Sequence, residues 1–116
     1  VNTQDSSVSL VDLRTQKELR RIPVGPRPYG IALADGDRTL IVGVEDEEVV
    51  KFFDLTTLEV KAKVKIGPMH NDHIALTPDG SHALLANFDS DSIVGIDISQ
   101  QTIAFRMKGL SAPHVV

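Results

Sequence analysis

The chain has 116 residues, a formal net charge of −4 at pH 7, 41% hydrophobic residues and no cysteine. These values are typical of a globular domain, and they exclude disulfides, thiolate nucleophiles and cysteine-based zinc sites. The basic residues form no stripe and the apolar runs are too short for a spanning helix, so we expect neither a nucleic-acid partner nor a membrane span in this segment.

The first 25 residues carry a pattern that the chain uses three times. In residues 1–25, 42–67 and 86–109, a polar turn is followed by an alternating apolar run, an aspartate, a second polar turn, a second alternating run and a glycine. Two further matched pieces lie between these segments, at 29–41 and 73–85. Recurrence at a fixed spacing indicates an internal structural repeat.

Two residue types mark the period of this repeat. Asp12, Asp54 and Asp97 are 42 and 43 residues apart, and the glycines at 25, 67 and 109 are separated by 42 residues at each step. Each aspartate begins a short polar turn. We therefore expect its carboxylate to accept backbone N–H bonds in that turn, which is a structural role and not a catalytic one.

Within each repeat the apolar residues alternate with period two, which predicts β-strands, and no window has helical spacing with caps. We expect four antiparallel strands in each repeat, named A to D from the inside outward. Strand A lies at about 30–34 and 73–77, strand B at about 39–44 and 82–87, strand C at about 8–12, 48–54 and 92–97, and strand D at about 17–24, 58–66 and 102–108.

A four-stranded repeat of this length is typical of a β-propeller, so we predict an all-β fold of about 2.7 blades. Strands B to D of one blade occupy residues 1–25, full blades occupy 29–67 and 73–109, and residues 114–116 begin a further strand A. The chain enters the pattern in mid-blade, and we interpret it as a fragment. We expect the remaining blades of the same propeller, or further copies of the chain, to cover its open faces, because a lone fragment leaves strand edges exposed.

Two sequence patterns resemble known propellers. The pattern V-N-T, V-S-L-V-D-L, I-P-V-G and P-Y-G-I-A-L resembles the YVTN family of bacterial and archaeal propellers. Residues 67–80, GPMHNDHIALTPDG, add one residue and two histidines to the plain form of that repeat. This segment is similar to the haem d1 propellers of the cytochrome cd1 group, and most to the haem d1 biosynthesis proteins of the nitrite reductase gene cluster. The resemblance implies a parent of about eight blades, with about seven as the alternative.

The resemblance also implies a function. A member of this group would bind haem d1 or its dihydro-haem d1 precursor at the central channel and would act in the periplasm, in haem d1 biosynthesis or denitrification. If it is an enzyme, it is an oxidoreductase that acts on a haem d1 precursor. Two alternatives stay open: a cofactor-free YVTN scaffold for protein or surface interactions, and a metal-dependent, lactonase-like hydrolase that uses His70, Asp72 and His73.

The candidate site follows from where strand A begins, since the connection from strand D to strand A lies around the mouth of a propeller channel. Gly30, His73 and His114 occupy matched positions there. We predict His73 and His70 as catalytic residues, and either of these or His114 as a ligand of haem iron, because imidazole binds iron and transfers protons near neutral pH. In the alternative, His73 and His114 only cap backbone groups of the loops.

Five residues are predicted to bind the cofactor. Arg27 could bind a carboxylate of the tetrapyrrole, and Asp72 could orient a neighbouring imidazole. Tyr29, Asn71 and His114 complete this set.

Three other polar features favour structural roles. His82 follows a tight-turn signal and is expected to be a solvated loop residue. The acidic residues 45–48 could hold calcium, but their spacing matches no calcium loop and indicates a solvated hairpin tip. Asp89 and Asp91 occupy the equivalent turn of the next repeat and are interpreted in the same way.

Overall fold

The computed structural model describes residues 4, 6–36, 38–67, 74–87 and 92–108 of the chain. In these residues the fold is all-β, as predicted, with one short 3₁₀ turn, Glu45–Glu47. None of the helical structure in these ranges is long and apolar enough to cross a membrane. The strands are β1 Ser7–Asp12, β2 Lys17–Pro23, β3 Pro28–Ala34, β4 Thr39–Val44, β5 Val49–Asp54, β6 Glu59–Lys65, β7 Ile74–Leu76, β8 His82–Asn87, β9 Ser92–Asp97 and β10 Thr102–Lys108.

The strands form three antiparallel sheets, which we call the first sheet (β1-β2), the middle sheet (β3-β4-β5-β6) and the third sheet (β7-β8-β9-β10). The two complete sheets confirm the predicted repeat of four antiparallel strands. Between them, β3 lies close to β7. In a propeller the innermost strands of neighbouring blades lie side by side around the channel, and the contact between β3 and β7 agrees with this arrangement. The number of blades in the parent, and the assignment of the terminal residues to blades, stay predictions.

The predicted role of the three repeat aspartates is confirmed. Asp54 Oδ1 accepts the backbone N–H of Thr56 at 2.7 Å and that of Thr57 at 3.3 Å. Asp12 and Asp97 accept equivalent bonds in the turns that they begin, at 2.8 Å from Arg14 N and 2.9 Å from Gln100 N. The backbone N–H bonds lower the pKa of Asp54 below its ordinary value, and the N–H of Gln100, followed by the hydroxyl of Ser99, does the same for the pKa of Asp97.

Each hairpin of strands C and D also contains a β-bulge, and the bulge recurs with the period of the sequence. It leaves Leu19, Lys61 and Ala104 unpaired in their respective strands. A bulge shifts the alternation of side chains along a strand. Strict alternation would place Val60 and Val64 on one face of β6, but the bulge lies between them: Val64 is buried, whereas Val60 is 45% exposed.

The middle sheet is covered on both faces. Successive residues of β5 point to opposite sides, so Phe53 packs towards the first sheet and Phe52 towards the third. The first core cluster consists of Val8, Ile22, Val24, Leu40, Val42, Val44, Val49 and Phe53. The second core cluster consists of Ala34, Ile41, Val50, Phe52, Val64, Ile66, Ile74, Ala83, Leu85, Val94, Ile96 and Ile98.

A cationic side chain crosses each of these two interfaces. Lys51 Nζ donates a hydrogen bond to the carbonyl oxygen of Val24 at 2.9 Å, from the middle sheet to the end of β2. Arg106 Nη2 donates to the carbonyl oxygen of Ile66 at 3.0 Å, from the third sheet to the end of β6. The two acceptors are 42 residues apart and occupy the same place in the repeat. Both bonds satisfy a carbonyl that follows the last paired residue of strand D.

Candidate functional site

Two loops meet at the end of the middle sheet where the chain enters β3, which we call the connection end. One is the connection from β2 to β3, and the other is the turn from β4 to β5. Gly25 lies in the first loop with φ +117°, and a Cβ atom there would be 2.7 Å from Glu47 Oε1 and 2.9 Å from Lys51 Nζ. Glycine at this position therefore leaves room for the Glu47–Lys51 ion pair, and it adopts a backbone conformation that side chains rarely allow.

The acidic turn at this end is not the solvated hairpin tip that the sequence indicated. Glu45–Glu47 form a 3₁₀ turn, and Glu48 follows in the left-handed region with φ 58°. The side chain of Glu45 is only 7% exposed, and its carboxylate pairs with Arg27. Glu47 Oε1 accepts from Lys51 Nζ at 3.1 Å. Glu45, Asp46 and Glu47 thus pair with cations from neighbouring elements, and of the residues 45–48 only Asp46 is well exposed.

Arg27 forms ion pairs with two carboxylates of the acidic turn. Its Nη2 lies 3.3 Å from Glu45 Oε2, and its Nε lies 3.7 Å from Asp46 Oδ1. Its guanidinium carbon is 5.9 Å from the ring centroid of Tyr29, at the outer limit of a cation–π contact. A side-chain hydrogen bond with Tyr29, followed by the charges of Tyr29, Glu45 and Asp46, raises the pKa of Arg27 above its ordinary value. Arg27 is therefore a permanent cation.

Lys51 is a site residue that the sequence reasoning missed. It is 7% exposed, in a strand whose neighbouring side chains are almost all apolar. Its ammonium bonds to the Val24 carbonyl and to Glu47, so the charge is compensated. A lone lysine within VVKFFD was a signal that this strand buries a cation, but its partner at Val24 is distant in sequence.

Of the predicted site residues, the structure describes two. Arg27 and Tyr29 lie at the start of β3, as expected, and they lie next to each other. The other five predicted site residues lie outside the described residues, and so do both aspartates of the second acidic turn. These are His70, Asn71, Asp72, His73, His114, Asp89 and Asp91.

The opposite end of the middle sheet, which we call the hairpin end, carries a cleft of about 590 Å³. Its lining includes Asp35, Arg38, Asp54 and Lys61, two carboxylates and two cations. The buried Thr39 organises it: Thr39 Oγ1 donates to Asp35 Oδ2 at 3.1 Å and accepts from Lys61 Nζ at 3.2 Å. The unpaired bulge residue of β6 thus supplies one of the two cations. The opposite charges balance, so the cleft has no dominant sign for a charged ligand.

His82 lies at the corresponding end of the third sheet, where the predicted strand B begins, but its expected exposure to solvent was wrong. It is the first residue of β8 and is half-buried, not a solvated loop residue. Its Nδ1 is 2.7 Å from Ser81 Oγ, and that hydroxyl donates to Asp79 Oδ1 at 2.7 Å. The Ser81 hydroxyl has one hydrogen to give, so the His82 ring is the donor in the remaining contact.

The described residues contain no group of three or more histidine, aspartate or glutamate residues that could hold a metal ion. The connection end instead offers an exposed arginine beside an aromatic ring. This arrangement can bind an anionic group at the edge of a flat molecule.

The comparisons with known proteins identify the fold. No family model and no curated protein matches the chain. Among solved structures, it is similar to hydrazine synthase of Kuenenia stuttgartiensis, with TM-score 0.86 and 24% identity over 97% of this chain and 32% of that chain. It is also similar to dihydro-haem d1 dehydrogenase NirN in complex with DHE, with TM-score 0.76 and 22% identity over 97% of this chain and 24% of that chain. The four-stranded sheets thus match part of larger, propeller-containing chains, of which this chain spans about a third and a quarter.

Proposed function

We propose that this chain is part of a β-propeller that binds haem d1, or its dihydro-haem d1 precursor, at the central channel. The propeller would act in the periplasm, in haem d1 biosynthesis or denitrification. The observation that carries the proposal is the similarity to NirN over 97% of the chain. The segment MHNDH, which sets the second repeat apart from the plain repeat pattern, supports the same function from the sequence.

The described residues at the connection end fit such a ligand. Arg27 is 51% exposed and permanently charged, as a residue that binds a tetrapyrrole carboxylate must be. Tyr29 adds an aromatic ring beside it. Both lie at the start of β3, the strand that lies close to the corresponding strand of the next sheet. In this proposal Arg27 binds the carboxylate, and Tyr29 packs against the edge of the macrocycle.

The iron-binding and proton-transfer roles are assigned from the sequence. His70 and His73 are proposed to act on the bound tetrapyrrole, with His70, His73 or His114 as the iron ligand and Asn71 and Asp72 as contacts. Bound haem d1 would supply a redox-active iron, whereas the dihydro precursor would itself be the compound that is oxidised. The enzymatic step is thus proposed for the whole propeller, of which this chain forms a part.

The proposal is tested by titrating the intact protein with haem d1 and recording the absorption spectrum. We expect a saturable shift of the haem bands, which His73→Ala alters and Arg27→Met weakens. His82→Ala is the matched control, since His82 lies at the hairpin end of its sheet. An unchanged spectrum on mixing would overturn the proposal and favour the cofactor-free scaffold, whereas a stoichiometric divalent metal in the purified protein would favour the hydrolase.

A further inference from the structure

Two carboxylates of one turn form ion pairs with Arg27, and the two pairs differ in distance and in exposure to solvent. Glu45 Oε2 lies 3.3 Å from Arg27 Nη2, and the Glu45 side chain is 7% exposed. The backbone joins the same two residues, since Glu45 N–H donates to the Arg27 carbonyl oxygen at 3.0 Å. Asp46 Oδ1 lies 3.7 Å from Arg27 Nε, beyond hydrogen-bond range, and the Asp46 side chain is 50% exposed.

These differences decide which carboxylate can leave. A half-exposed ion pair at this distance contributes little, because water solvates both groups almost as well when they separate. A buried carboxylate that loses its cation stays behind without compensation, so its separation is strongly unfavourable. Glu45 is therefore a fixed partner of Arg27, and Asp46 is an exchangeable one.

We propose that Asp46 occupies, in the ligand-free protein, the place on Arg27 that a ligand carboxylate takes on binding. The carboxylate displaces Asp46 from the Nε edge of the guanidinium, which can form two parallel hydrogen bonds to it. Asp46 moves into solvent, while Glu45 keeps the side chain in position. This inference rests on the proposed function for the identity of the ligand, a tetrapyrrole carboxylate. Because Asp46 competes for Arg27, a ligand that lacks a carboxylate gains nothing from displacing it, and the site selects for ligands that carry this group.

The backbone at Arg27 favours this arrangement. Arg27 adopts the left-handed region with φ 56°, a conformation that non-glycine residues adopt only when their surroundings hold them. The Glu45 N–H bond and the buried ion pair supply that restraint. Exchange of Asp46 for a ligand then requires one side chain to rotate and leaves the loop unchanged.

The test compares two isosteric substitutions of adjacent residues that should have opposite effects. Asp46→Asn removes the competitor, so it should tighten haem d1 binding by about threefold, within the range of an exposed ion pair. Glu45→Gln removes the buried partner, so it should weaken binding about tenfold or more. Glu59→Gln, an exposed carboxylate at the hairpin end, is the matched control and should change nothing.

A second probe separates this inference from the proposed function. In this experiment acetate is added to the protein, and the NMR signal of the Arg27 Nε–H group is followed. The signal reports binding of a carboxylate whether or not haem d1 binds. We expect half-saturation at about threefold lower acetate in Asp46→Asn than in the unsubstituted protein. With the methyl ester of haem d1, the advantage of Asp46→Asn should vanish.

The outcomes are distinguishable. If haem d1 fails to bind but Asp46→Asn still lowers the acetate needed, the proposed function is wrong and the exchange at Arg27 stands. The proposed exchange at Arg27 is overturned if Asp46→Asn needs as much acetate for half-saturation as the unsubstituted protein, or more. It is also overturned if Asp46→Asn tightens binding of the methyl ester as much as binding of haem d1.

Discussion

The two sheet–sheet interfaces meet the same requirement in different ways. At both, the carbonyl after strand D needs a donor from the next sheet. The first interface uses Lys51 of strand C, which is buried and paired with Glu47, and the second uses Arg106 of strand D, which is exposed. The repeat thus fixes where a hydrogen bond must form, whereas the side chain that forms it varies.

The adjacent phenylalanines of β5 give the largest test of this comparison. Phe52→Ala should lower the free energy of unfolding by about 3–5 kcal/mol, because Phe52 is completely buried in the second core cluster. Phe53→Ala should act at the first interface instead. Amide hydrogen exchange in the intact protein should therefore accelerate in β7–β10 for Phe52→Ala and in β1–β2 for Phe53→Ala. Acceleration of the same amides by both variants would contradict two separate interfaces.

The two cations provide the next test. Lys51→Met leaves the Val24 carbonyl without its donor and Glu47 without its cation, and should cost about 1–3 kcal/mol in urea denaturation. Arg106→Met should cost less, at most about 1 kcal/mol, because water can replace an exposed donor. Lys63→Met, an exposed lysine of β6, is the control for loss of charge. Equal costs for Lys51→Met and Arg106→Met would remove the distinction between the interfaces.

Gly25 and Gly67 occupy the same position in the repeat, so replacing each by alanine separates the cost of backbone strain from the cost of side-chain crowding. Gly25 and Gly67 both have positive φ, +117° and +87°, but only at Gly25 would a Cβ meet Glu47 and Lys51. Among the described residues, nothing lies within 4 Å of a Cβ at Gly67. Gly67→Ala should therefore cost about 1 kcal/mol from the backbone alone, and Gly25→Ala about 1–2 kcal/mol more. Thermal denaturation measures both, and a cost for Gly67→Ala equal to that for Gly25→Ala would show that crowding adds nothing.

The parts of this fold that could be predicted depend on neighbours in sequence. The Asp54 turn is closed by bonds to residues two and three positions ahead, so a fixed aspartate was sufficient to predict it. Strand positions followed from alternation for the same reason. The exposure of Val60 could not be predicted, since it depends on a bulge whose register is set by pairing with β5.

The candidate site was less predictable because its contacts cross between loops. Arg27 and Tyr29 were found from their place before strand A. The pairing of Arg27 with Glu45 joins loops that are separated by two strands, and a local pattern of acidic residues suggests only a solvated turn. The partner of Lys51 is equally distant, 27 residues away. The Lys51 contact crosses between two sheets, and the Arg27–Glu45 contact lies one residue beyond the pairing of β3 with β4, so a local sequence pattern shows neither partner.

Asp79 gives the smallest expected effect and concerns a turn instead of an interface. The N–H of Ser81, then the hydroxyls of Ser81 and Thr77, lower the pKa of Asp79 from its ordinary value of 3.8 to about 2. A carboxylate with a lowered folded pKa stabilises the fold above its unfolded pKa, and this stabilisation is lost as the pH falls through the folded value. The stability difference between the protein and Asp79→Asn should therefore be constant above about pH 5 and shrink between about pH 4 and 2. Carboxyl ¹³C NMR checks the cause directly: the midpoint should lie near 2 and rise towards 3.8 in Ser81→Ala, and a midpoint near 3.8 in the unsubstituted protein would refute it.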